Sequence, residues 1–541
     1  MLLYHEVIEH NAARHPHKCA VALDAVHYSY GMLQARTTQI ARLLVASGVQ
    51  PGDRVALYSP ICIDLIAAYL AVLRVGAITA ATHPTYSREK LVHQLKHTGA
   101  RVLITQGCKA LETLGRDADL ERIIMIGDAA ATPPEVISLD HAVLAPDVAQ
   151  AALPDLQDDA RITSIFYTSG STFNPKGVVV NHSIMVAATT SVTAYLNNTP
   201  DDVILSYSTL ASDYGVYNIL MPLYFGGTSV IESRPPQDAD AVLKVAEREG
   251  VTGMHIFPPI FFLLAETKQH WQRQLPRLRY ISSSGQPLYT RHIKRIRAAL
   301  PAVQIYSNYG LTECKRVSYL PPDYIDKYPT SVGKPLPGVT ALIVDEDGKQ
   351  ITQPGVIGEL WVSSDYLMLE YWKMPEATHT AIKTGVVGAQ RFYCTGDLFK
   401  RDDQGFLYYV ARKDDVFARN IWNVNPREIE QCLASHPAVA HVVVVPVADA
   451  SAGFLPTEIE QCLASHPAVA QVVVVPVADE SAGFLPKACV VLERNHDSSC
   501  EAALHEYCKR HMDWHMVPAQ WAFMDALPQT DSGKTTGKGL A

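Results

Sequence analysis

From residue 1 to about residue 410 the chain alternates helical patterns with short β-branched runs. Ser29–Ala46 and Ile63–Val75 carry apolar residues at helical spacing, while Arg101–Thr105, Val203–Tyr207 and Val339–Asp345 are short runs rich in branched side chains. A strand followed by a returning helix lays the next strand parallel to the first, so this alternation predicts α/β architecture with largely parallel sheets. At 541 residues the chain exceeds what one hydrophobic core serves, and two or more domains are expected. Between Ala341 and Val410 the pattern changes to short strands joined by Gly and Asp turns (VDEDGKQ, RDDQGFLYYV), which predicts a small β-rich subdomain.

Composition excludes some classes of partner. The formal net charge of −9 leaves no basic surface for nucleic acid, and the basic run Arg291–Arg297 (RHIKRIR) reads as the solvated face of a helix. The most apolar early window, Leu65–Ala81, is interrupted by Arg74 and Gly76, so it predicts a buried helix running into a strand, and no membrane span. The ten cysteines form no C-x-x-C pair and no regular framework, which suits free thiols in a reducing compartment. The first residues, MLLYHEVIEHNAARH, lack a basic segment followed by an apolar run. A cytoplasmic protein is expected.

The C-terminal part contains a tandem repeat. Residues 427–456 recur as residues 457–486, with differences only at Arg427/Thr457, His441/Gln471 and Ala450/Glu480. Each copy reads as a short helix, a His-Pro break and a four-valine strand. Two copies are too few for a solenoid. The repeat therefore reads as a duplication inside one small α+β domain, with either copy able to occupy its core.

Four motifs carry chemistry. Tyr167–His182 reads YTSGSTFNPKGVVVNH, and its small and hydroxylated residues Thr168, Ser169, Gly170, Ser171 and Thr172, with Lys176 after them, offer close backbone approach, several donors and a cation to a polyphosphate. The spacing differs from the Walker loop, and no hydroxyl directly follows the lysine. Tyr306–Glu313 reads YSNYGLTE: Tyr309 offers an aromatic face for a base, Gly310 a turn, Thr312 a hydroxyl and Glu313 a carboxylate for magnesium. In YCTGD, Asp397 can accept from two vicinal ribose hydroxyls, and Arg412 can donate to the same sugar. Pro528–Leu540, PQTDSGKTTGKGL, presents Lys534 on a polar, Gly-rich segment.

In this order the four motifs resemble those of the adenylate-forming superfamily of acyl-CoA synthetases, peptide-synthetase adenylation domains and luciferases, over residues 5 to 540. The resemblance implies a large N-terminal domain (1–411) of two βαβ-type sheets plus the β-rich subdomain, and a small mobile α+β lid domain (412–541) turning about a hinge at Asp414. It implies ATP and Mg²⁺ as cofactors. Residues 168–172 and Lys176 would grip phosphates, Tyr309 and Gly310 flank adenine, Thr312 touch the α-phosphate, Glu313 ligate the metal, and Asp397 and Arg412 hold ribose. Lys534 would stabilise the transition state in which a substrate carboxylate attacks the α-phosphate. The acyl group then passes to a thiol, of CoA or a carrier protein's phosphopantetheine, or to an amine.

Departures from the family pattern bear on the second step. Phe173 replaces a glycine of the phosphate loop and Ala411 a glycine before Arg412, while Ala418 and Ile421 stand where a lysine and a glycine normally let the pantetheine arm pass. Thiol and amine acceptors therefore both stay open. The alternative from another class is a non-catalytic adenylate- or acyl-binding homologue. The acyl pocket is expected from Asp213, Tyr214, Tyr217, Asn308, Arg316 and Val317, fitting a small or medium carboxylic acid. Asp213 stands where amino-acid-activating members pair with an ammonium group, and an Asp213–Arg316 ion pair is expected to neutralise it.

Overall fold

The computed structural model describes residues 3–86, 88–107, 111–127, 136–168, 176–266, 275–285, 288, 290–413, 417–419, 422–424, 441–442, 469–479, 483–492, 501–502, 504–506 and 520–524. The alternating patterns become two large sheets. One has seven strands in the order Val136–Ser138, Arg122–Met125, Val102–Thr105, Arg54–Tyr58, Ile78–Ala81, Ile162–Tyr167 and Gly177–Asn181. Its first six strands run parallel, and the last turns back antiparallel. The other has nine strands, running from Lys334–Pro335 through Lys315–Leu320, Gln304–Leu311, Tyr280–Ser284, Gly253–Ile256, Val203–Ser206, Thr228–Ile231 and Cys19–Leu23 to Val26–Ser29. Its interior is parallel and both its ends are antiparallel.

Local chemistry sets the helix ends. Ser29 caps helix Tyr30–Ala46 by accepting from the Met32 amide at 3.2 Å. Helix Ile63–Arg74 is buried continuously from Leu65 to Leu73, as an apolar helix held inside a large domain must be. It leads through Gly76, whose φ of +72° favours glycine, into strand Ile78–Ala81. Asn181 caps helix His182–Leu196 through the Ile184 amide. His182, at the start of that helix, is buried and accepts from the Tyr4 amide through Nδ1.

The β-rich subdomain is a five-stranded antiparallel sheet of Thr340–Val344, Gly358–Ser363, Arg391–Arg401 and Ile382–Thr384, with Leu407–Arg412 paired to Arg391–Arg401. Among the described residues after 413 there is a two-stranded piece, Phe417–Arg419 with Trp422–Val424, and a four-stranded sheet. The four strands are His441–Val442, Val469–Asp479, Gly483–Leu492 and Gln520–Phe523, in that order. The first comes from one repeat copy and the second from the other. They pair parallel with His441 opposite Gln471 and Val442 opposite Val472, so equivalent positions of the two copies face each other. The helices expected within the copies lie outside the described residues.

Candidate active site

Two loops of the predicted chemistry leave the C-terminal ends of strands at the antiparallel end of each large sheet. Strand Ile162–Tyr167 pairs antiparallel with Gly177–Asn181, so the phosphate-loop motif connects two neighbouring strands of the sheet. Its mouth is closed by the Thr168 amide donating to the Lys176 carbonyl at 3.1 Å. Ser169, Gly170, Ser171, Thr172 and Phe173 lie outside the described residues, as do Asp414, Ile421 and Lys534. In the nine-stranded sheet, Gln304–Leu311 returns as Lys315–Leu320, and the tip of that hairpin carries Thr312 and Glu313. Gly310 lies in the strand with Arg316 opposite it, and a Cβ there would sit 1.9 Å from the Lys315 carbonyl oxygen. The expected turn is thus a close backbone approach that only glycine allows. Lys315 completes the tip with a φ of +55°, unusual for a residue with a side chain.

The segment that follows Tyr366 binds the two hairpins together. The Met368 amide donates to the Glu313 carbonyl at 2.7 Å, and the Trp372 amide to the Gly177 carbonyl at 2.7 Å. Between them, the Tyr371 hydroxyl donates to Glu313 Oε1 at 2.7 Å, and Lys176 Nζ stands 4.9 Å from the Tyr371 ring centre. Burial, reinforced by the Glu313 charge, pushes the Tyr371 phenol far up, which keeps it a donor.

The β-rich subdomain supplies the third wall. Asp397 is 2% exposed and stands opposite Arg412 in the antiparallel ladder, with Arg412 Nη1 3.2 Å from its Oδ1. Its Oδ2 accepts from the Tyr309 hydroxyl at 2.6 Å. Burial works against the Arg412 charge, but Asp397 together with Tyr409, Tyr393 and Tyr309 holds the guanidinium above its ordinary value. Tyr309 therefore joins the nine-stranded sheet to the subdomain, its ring edge-on to Phe399 at 4.8 Å.

On the acyl side, Ser212 caps helix Asp213–Phe225 and places Asp213 in its first turn. Asp213 Oδ1 accepts from the Thr312 hydroxyl at 2.9 Å, and its Oδ2 is 3.8 Å from Lys315 Nζ. The expected Asp213–Arg316 pair is not formed. A register shift between Tyr309 and Gly310 offsets the hairpin, so Lys315 turns toward Asp213 while Arg316 Nη1 donates to the Tyr195 hydroxyl at 3.0 Å. Lys315 also donates to the Thr312 carbonyl at 2.6 Å and lies 5.0 Å from the Phe166 ring centre, bringing the two sheets together. Burial pushes its ammonium down, partly opposed by Asp213 and Glu313. Tyr214 packs on Phe257 at 4.7 Å, and Val317 is wholly buried in the core. Tyr217 lies with its ring 5.9 Å from Lys315 Nζ. Asn308 Nδ2 is fixed by Ser282 Oγ and the Ser283 carbonyl.

A profile of the family described as AMP-binding enzyme matches residues 8–372, and one described as AMP-binding enzyme C-terminal domain matches residues 458–534. The chain belongs to the AMP-binding enzyme family. Its C-terminal match begins within the second repeat copy. A long-chain-fatty-acid–CoA ligase of Salmonella typhimurium is 26% identical to this AMP-binding enzyme, covering 98% of it and 92% of the ligase. The amide bond synthetase McbA of Marinactinospora thermotolerans shares its fold with a TM-score of 0.78 at 23% identity, covering 99% of this chain and 98% of that one. So does the o-succinylbenzoate–CoA synthetase of Bacillus subtilis solved with ATP and a magnesium ion, with a TM-score of 0.77 at 23% identity and 98% of both chains covered.

Lys315, Tyr371 and Tyr195 were not among the residues expected from the sequence. Lys315 could have been suspected as the first of the two cations of the TECKRV run, whereas Tyr371 and Tyr195 carry no local signal.

Proposed function

We propose that the chain is an ATP-dependent carboxylic acid ligase. A carboxylate oxygen attacks the α-phosphorus of ATP, the bond to the β-phosphate oxygen breaks, and acyl-adenylate and pyrophosphate form. The acyl group then passes to the thiol of CoA or of a carrier protein's pantetheine, or to an amine, with release of AMP. The observation that carries this reading is the meeting of three sheets at one place: the phosphate-loop hairpin, the Thr312–Glu313 hairpin tip and the Asp397–Arg412 pair are tied together by Tyr371 and Tyr309. Such a reaction needs anions brought together and charge stabilised, and little covalent help from the protein.

The residues fit the cofactors. Among the described residues no group of three or more His, Cys, Asp or Glu could cage a metal. Glu313 is a single buried carboxylate, which suits Mg²⁺ held by one carboxylate, phosphates and water. Bound there, the metal would neutralise charge on the phosphates. Tyr371 holds Glu313 in place, and Asp397 presents a buried acceptor to ribose hydroxyls. Thr312, already oriented by Asp213, borders the reacting phosphate. Lys534 supplies the cation between carboxylate and phosphate. The two-domain division at residues 411 and 412, and the hinge at Asp414, belong to the same reading. The ligase and the synthetases that this chain resembles lend no support to a non-catalytic binder. Among the described residues no helix is long and apolar enough to cross a membrane.

Carboxylate-dependent ATP–pyrophosphate exchange tests the proposal on the wild type and on Lys534→Ala. Exchange should fall by roughly 10²–10³-fold in the variant, the loss seen when one preorganised donor to a transition state is removed. If no carboxylic acid supports exchange although ATP binds, the chain is not a ligase. Product analysis with CoA and with amines then identifies the acceptor.

A further inference from the structure

The acyl side of the site holds more cations than carboxylates. Lys315 is balanced by Asp213. Arg316, directly after it, has no carboxylate within ion-pair distance among the described residues. Arg36, Arg74, Arg279 and Arg412, by contrast, lie within ion-pair distance of Asp64, Glu9, Asp202 and Asp397. A guanidinium cannot shed its proton to relieve the imbalance.

Arg316 is also held in a fixed orientation. Its Nη1 donates to the Tyr195 hydroxyl, which in turn donates to Asn308 Oδ1 at 3.1 Å, and Asn308 is anchored to Ser282 and Ser283 in the next strand. Tyr195 is stacked on Tyr319 at 4.2 Å, and the guanidinium carbon lies 5.9 Å from the Tyr214 ring centre. Among the described residues only Nη1 has a protein acceptor. Nε and Nη2 keep the side-on pair of N–H groups that binds a carboxylate in two-point fashion.

We propose that the acid activated here carries a second anionic group and that Arg316 receives it, which makes a short dicarboxylic acid the substrate class. This rests on the ligase reading above. The length follows from the hairpin. Arg316 is opposite Gly310, two residues back from Thr312, and two residues of chain span at most roughly 7 Å. A carboxylate reacting near Thr312 and a second one at Arg316 are thus separated by a few carbon atoms. The Asp213–Lys315 pair acts in the same direction. An α-ammonium group would have to displace Lys315 from Asp213, whereas a second carboxylate finds a cation without a counter-charge.

The test is ATP–pyrophosphate exchange by the full chain with matched pairs, namely succinate, glutarate and adipate, each beside its monomethyl ester. Simple monocarboxylic acids and neutral amino acids complete the panel, and the enzymes are wild type, Arg316→Gln and Arg316→Lys. The wild type should favour at least one diacid over its ester by roughly 10- to 100-fold in kcat/KM, the contribution of charge-assisted hydrogen bonds to one carboxylate. Arg316→Gln should bring that ratio toward one, chiefly through KM for the diacid, and Arg316→Lys should restore part of it. ATP binding by each variant verifies that it is folded. Wild-type exchange with monocarboxylic or amino acids and none with diacids overturns the proposal and leaves the ligase reading standing. A folded Arg316→Gln enzyme that keeps the diacid preference overturns it too. Absence of exchange with the whole panel removes the ligase reading, and this inference with it.

Discussion

Replacing Asp397 by Asn keeps the side chain's size and removes its charge, which isolates what the buried carboxylate does. In the protein it accepts a 2.6 Å bond from Tyr309 and faces Arg412 at 3.2 Å. In the proposed complex it also accepts from two ribose hydroxyls. A hydrogen bond to a charged group contributes about 1.5–3 kcal/mol, and one between neutral groups about 0.5–1.5 kcal/mol. The amide offers one neutral acceptor in place of two charged ones, so about 2–4 kcal/mol of ATP binding is lost, roughly a 30- to 1,000-fold rise in Kd. Calorimetric titration with MgATP measures this directly. Magnesium pyrophosphate, which has no ribose, serves as the control and should bind wild type and variant alike. Tyr309→Phe removes only the hydroxyl that fixes Asp397 and should cost less, about tenfold. If Asp397→Asn binds MgATP within about threefold of wild type while folded, the carboxylate does not hold the sugar and the reasoning fails.

Two further outcomes follow from the structure. His5 and His255 are buried neutral, with pKa values pushed down to about 3, and His182 to about 4, in each case chiefly by burial. Their unfolded value is about 6.5, so the stability tied to the neutral rings is fully present above pH 6.5 and is lost as pH falls toward those folded values. Each contributes a slope approaching about 1.4 kcal/mol per pH unit in that window, and His255→Gln should shallow the fall in urea midpoint measured between pH 6.5 and 4.5. An unchanged slope would mean that His255 is not held neutral. Deleting residues 427–456 should leave pyrophosphate exchange within about threefold of wild type, because the C-terminal family match begins in the second copy. Loss of exchange on deletion would assign the working copy to the first.

The parallel core and its helices were legible because apolar periodicity is a local property. Helix Tyr30–Ala46 begins one residue after the expected start because Ser29 serves as its cap, and strands Val102–Thr105 and Thr340–Val344 fall inside the expected runs. The run from Leu65 to Ala81 is, as expected, a buried helix followed by a strand. Asp397 and Arg412 stand opposite each other in one ladder, and Glu313 lies at the tip of the neighbouring hairpin. Pairings that depend on register were not legible. The shift at Tyr309/Gly310 exchanges the partners of two adjacent cations, and nothing in TECKRV says which one reaches a residue a hundred positions earlier. Tyr371 was hidden for the same reason, since it reaches Glu313 only through the segment that crosses between sheets.

The pairing of the two repeat copies has a consequence for how molecules of this protein meet one another. A short strand at the end of its sheet lies parallel to, and in step with, its own near-duplicate. That is the relation identical segments adopt when separate chains stack, and the proline-free run AVAQVVVV has the β propensity and low charge that favour such stacking. The contact that accommodates the duplication inside one chain is therefore also a template for a neighbouring chain, with the outer strand as its growing edge. Concentrated two-copy protein should associate more readily than the one-copy form, and charge placed on that edge should oppose it.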